Sequence, residues 1–87
     1  MTAKEMFEEL GYKIAVKDDE VLMYSQELGN GTKFIYFRLI YKAISEYHLG
    51  YGGYVLYDSN SKVQITFTAI EHKAITQQMK ELGWLDD

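Results

Sequence analysis

One phrase occurs twice in this chain, and it constrains the fold more than anything between its two copies. Thr68 to Trp84 reads TAIEHKAITQQMKELGW, and Thr2 to Tyr12 reads TAKEMFEELGY. Each copy opens on Thr with Glu three residues later. This is the capping box, in which the Thr hydroxyl and the Glu carboxylate satisfy backbone donors that a helix start leaves without partners. Each closes on Glu-Leu-Gly and an aromatic residue: Gly takes the left-handed conformation that stops a helix, and the next side chain folds back over the last turn. The spacing predicts a first helix over residues 3–10, with Met6, Phe7 and Leu10 facing inward and Met1 stapled on Met6. A second helix runs from Thr68 to Gly83, with Ile75, Met79 and Leu82 as its apolar stripe. Tyr12 is expected over Phe7, and Trp84 over Met79.

Between the helices the period drops to two, the spacing of a strand with one buried face. Tyr12, Ile14 and Val16 alternate with Lys13, Ala15 and Lys17, and Asp18 to Glu20 form a polar turn before a second strand over Val21 to Glu27. Leu28-Gly29-Asn30-Gly31-Thr32 is a hairpin signal, because Asn and Gly tolerate the backbone that tight turns demand. Lys33 to Tyr41, KFIYFRLIY, reads as the central strand, with Ile35, Phe37 and Leu39 towards the core and Phe34, Tyr36 and Arg38 on the opposite side. A strand over Ala43 to Leu49 follows a tight reversal near Tyr41 and Lys42, and the glycines of GYGGY then break regularity. Tyr54 to Tyr57 and Val63 to Phe67 can pair across Asp58 to Ser61. The prediction is a single α+β domain over residues 1–87, an antiparallel β-meander of four to six strands with both helices packed on one face.

Composition narrows the function classes. With 47% hydrophobic and 15% aromatic residues the chain has the apolar content to fold unaided. It contains no cysteine and no proline, so neither a disulfide framework nor a thiolate metal site is expected. Charged residues in the first turns and the lack of a long apolar run predict a cytosolic location and no membrane span. The net charge is −4, with residues 1–31 holding three lysines against seven acids. Such a chain is poorly suited to grip a phosphate backbone, which needs clustered Lys and Arg.

The opening TAKEMFEELGY together with the closing T-x-x-E-x-x-AI-x-QQ-x-KELGW resembles a group of small uncharacterised proteins encoded by phages and prophages of Gram-positive bacteria. The resemblance implies helix, strand-rich middle and closing helix, and it implies no activity. His72 stands where that group commonly has an aliphatic residue, and the segment from Gly50 to Lys62 is longer than usual for it.

No motif specifies a reaction. Glu46 and His48 share a strand face without further ligands at a recognised spacing, so His48 reads as structural. His72 reads as stacking on Phe67. The serines lack a nucleophile-elbow setting, and GYGGY lacks the lysine of a phosphate loop. Neither a catalytic site, a metal nor a cofactor is therefore expected. What stands out is eight tyrosines. Tyrosine joins an apolar body to a polar tip and suits partner surfaces. The expected role is a non-catalytic protein-interaction or regulatory module, binding a protein partner or a second copy through Tyr36, Arg38, Tyr47, Tyr51 and Tyr54. The alternative is single-stranded nucleic acid stacked on the aromatic sheet face, which the acidic charge disfavours.

Overall fold

A computed structural model of the chain describes residues 1–29, 31–50, 55–58 and 68–85, with 55–58 described by backbone alone. The order is α1 (Ala3–Glu9), β1 (Lys13–Lys17), β2 (Val21–Leu28), β3 (Gly31–Arg38), β4 (Ala43–Gly50), β5 (Val55–Asp58) and α2 (Ala69–Glu81). The strands form one antiparallel sheet in sequential order, a meander with β3 at its centre. The fold is the α+β arrangement expected, and among the described residues no helix is long and apolar enough to cross a membrane.

Both helix ends obey the local chemistry of the repeated phrase. Thr2 and Thr68 each complete a capping box with Glu5 and Glu71. At the other ends Gly11 (φ 89°) and Gly83 (φ 77°) turn left-handed, and Tyr12 N–H and Trp84 N–H donate back to the Phe7 and Met79 carbonyls at 2.9 Å. Met1, by contrast, is 69% exposed, so the expected staple on Met6 contributes little burial.

The helices lie side by side on one sheet face, α1 starting where α2 ends: the Ala3 N–H donates to the Glu81 carboxylate at 2.7 Å. Between helices and sheet sits a core of Phe7, Tyr12, Leu22, Tyr24, Ile35, Phe37, Ala74 and Ile75, with Met79, Leu82 and Trp84 at its margin. Phe7 stacks on Tyr24 at 4.0 Å between centroids and meets Tyr12 edge-on at 5.5 Å. Trp84 covers Phe37 at 6.1 Å.

Three strand expectations change. The β1–β2 register slips between Ile14 and Val16, which sets Val16 opposite Met23, away from the helices and 39% exposed; an extra residue in a strand reverses the facing of the residues after it. β3 ends at Arg38 rather than Tyr41, because Leu39 to Lys42 form the turn, with Lys42 at φ 50°. β4 runs one residue further, to Gly50, which pairs with Gly31. The expected strand over Val63 to Phe67 lies outside the described residues.

Candidate functional site

The sheet face away from the helices carries the aromatic residues singled out in the sequence. Register places Phe34 opposite Tyr47 and Tyr36 opposite Ser45, so side chains of β3 and β4 meet across that face. The Phe34 and Tyr47 rings stack at 4.9 Å and 23°, and Tyr36 stands edge-on to Tyr47 at 5.4 Å. Arg38 lies over the Tyr36 ring at 5.1 Å and donates from Nη2 to the Tyr36 hydroxyl at 3.0 Å. Phe34, Tyr36 and Tyr47 are half-buried and Arg38 is exposed. Ser25 and Ser45 are buried beside the rings, small enough to let them lie close to the sheet. Tyr36, Arg38 and Tyr47 are thus one cluster, while Tyr51 and Tyr54 lie outside the described residues.

The cluster continues to the end of the sheet into residues that strand patterning missed. Ile40 and Tyr41 are 69% and 78% exposed on the β3–β4 turn. With Glu20, Val21 and Arg38 they line a cleft of about 90 Å³. The apolar run FRLIY hid them, since alternation alone does not reveal where a strand stops.

The opposite face holds a second grouping, built from four elements or their ends. Lys33 of β3 reaches Glu46 of β4 at 2.8 Å and Glu71 of α2 at 2.7 Å. Tyr12, just past α1, donates its hydroxyl to Glu71 at 2.5 Å, and the Thr68 N–H donates to the other Glu71 oxygen at 3.0 Å. Glu46 and His48 are almost wholly buried on the helix-facing side, and His48 is opposite Lys33 in register. The group adjoins a cavity of about 330 Å³ whose walls include Leu10, Tyr12, Gln26 and Lys33.

Electrostatics separate the two carboxylates. Burial pushes the Glu46 carboxyl up, and Lys33 opposes this only in part, so Glu46 sits above the usual range. Burial acts on Glu71 in the same direction, but hydrogen bonds from Lys33, Tyr12 and the Thr68 N–H outweigh it and hold Glu71 at about 2. Burial alone would lower the Lys33 ammonium; its bonds to the two carboxylates instead raise it. Tyr24, whose hydroxyl donates to Gln78 at 2.6 Å, is pushed up to about 12 by burial and by the charges of Glu81 and Glu8.

This arrangement fastens the start of α2 to β3, β4 and the end of α1. Its ammonium occupies the position between carboxylates that a bound cation would take, and among the described residues no three acidic, His or Cys side chains are placed to hold a metal. His48 is buried in the sheet, whereas His72 is exposed and its expected partner Phe67 is outside the described residues. Comparison with known protein families, curated proteins and solved structures finds no match.

Proposed function

We propose that this chain is a non-catalytic protein-interaction module, an accessory factor of phage origin, that binds through the sheet face opposite its helices. One observation carries the reading. Tyr36, Tyr47 and Arg38 form a mutually supported cluster on a face that the helices do not cover, and Tyr and Arg are the residue types that concentrate binding energy at protein interfaces. Their contacts with one another fix their rotamers before a partner arrives, which lowers the ordering cost of binding. Phage origin rests on the resemblance of the two ends alone.

The same rings give less support to nucleic acid. Base stacking needs open ring faces, and here Phe34 and Tyr47 face each other while the Arg38 guanidinium covers one face of Tyr36.

The test is affinity recovery from a lysogenic or infected host with the wild-type chain and a Tyr36→Ser/Arg38→Ser variant. A protein recovered by the wild type and lost from the variant, with far-UV circular dichroism unchanged, is the expected result. Equal recovery by both folded proteins, or recovery of none by either, sinks the reading.

A further inference from the structure

The two turns at one end of the sheet differ in chemistry. The β1–β2 turn is acidic, Asp18-Asp19-Glu20, and the β3–β4 turn joins exposed Ile40 and Tyr41 to the cations Arg38 and Lys42. They lie against each other: Val21 pairs with Arg38, and the Leu39 N–H donates to the Glu20 carbonyl at 2.9 Å. Neither is loose. Asp18 Oδ1 accepts the Glu20 and Val21 N–H groups at 2.8 and 2.9 Å, and Leu39 packs into the core margin.

We propose that this end of the sheet is a self-association surface on which a second copy of the chain docks about a two-fold axis, with the Arg38–Lys42 lobe of each copy against the Asp19–Glu20 lobe of the other. The proposal goes beyond the outer-face reading, since it adds a second contact surface at the end of the sheet that shares only Arg38 with that cluster. An isologous contact requires one patch to complement itself, so it must hold both signs of charge side by side around an apolar centre. This end does: a cationic lobe, an anionic lobe, and between them Ile40, Tyr41 and Val21 around the cleft of about 90 Å³.

Charge complementarity also selects the orientation. Each copy has net charge −4, so two copies repel at long range and approach is favourable only where opposite lobes meet. The patch is small, which puts the expected dissociation constant in the range of about 10–100 μM, as for weak transient contacts.

Sedimentation equilibrium of the intact chain tests the proposal. Wild type is expected to shift from a 10.1-kDa species to its dimer across that range, and to dissociate as salt is raised, since exposed pairs are screened. Ile40→Asp abolishes the dimer. Arg38→Glu and Glu20→Arg each weaken it at least about tenfold, and the double variant recovers it, because the two reversals restore opposite charges across the axis. Circular dichroism of every variant checks folding, and all three positions, Glu20, Arg38 and Ile40, carry exposed side chains. A wild type that stays monomeric at several hundred micromolar overturns the dimer while leaving the outer-face reading to its own recovery test. A dimer indifferent to both single reversals also overturns it.

Discussion

Glu71 holds two positions at once. One carboxylate oxygen takes the Thr68 N–H as half of a capping box, and the other takes Tyr12 and Lys33 from across the core. A carboxylate held near 2, against an ordinary 4.5, contributes stability that is fully present above pH 4.5 and disappears as pH falls towards 2. At 1.36 kcal/mol per pKa unit the contribution is about 3 kcal/mol, of which Glu46 offsets a part, because a carboxyl raised by burial is destabilising while ionised. Glu71→Gln is therefore expected to lower the urea-unfolding free energy at pH 7 by about 2–3 kcal/mol and to flatten its decline between pH 4.5 and 2. An unchanged acid profile would refute the linkage. The capping half of this role was legible in T-x-x-E. The core half was not, since Tyr12 and Lys33 are 59 and 38 positions away along the chain.

The β2–β3 hairpin shows how an element depends on its neighbour. Leu28 pairs with Gly31 and Glu27 with Thr32, so the hairpin closes where the glycine-rich run predicts a turn, but the strands extend into the expected turn residues Leu28, Gly31 and Thr32. Gly31 has a further reason to lack a side chain: a Cβ built there would lie 1.9 Å from the Leu49 carbonyl oxygen of β4. That neighbour is backbone inside a ladder, so it cannot rotate aside. Gly31→Ala is expected to destabilise by about 2–3 kcal/mol through forced separation of β3 and β4, the range of overpacking in a close-packed interior. Gly29→Ala, with no atom within 4 Å of its added Cβ, serves as the control. A chemical-denaturation series placing both variants at wild-type stability contradicts this account. Helix limits were readable to within two residues because each is written in caps. The β1 register was not, because a slip at one residue sends Val16 to the opposite face without altering the composition of the strand.

At the scale of the molecule, sequential strand order and antiparallel pairing mean that the sheet assembles largely from local hairpins, and α2 must then return to α1. The chain has no proline, so refolding from urea is expected without a phase of tens of seconds set by prolyl isomerisation, whether unfolding is brief or prolonged. Double-jump stopped-flow fluorescence from Trp84 measures this; a slow phase that grows with unfolding time contradicts it. Capping boxes, glycine stops, period-two strands and the side of the central strand that holds Ile35 and Phe37 were legible because each depends on residues within one turn or one strand. The meeting of Tyr12, Lys33, Glu46 and Glu71, the stacking of Phe34 on Tyr47, and the pairing of an acidic turn with a cationic one required the folded chain. Those contacts join residues whose separation along the sequence carries no signal, and only strand register and the return of α2 bring them within hydrogen-bonding or van der Waals reach.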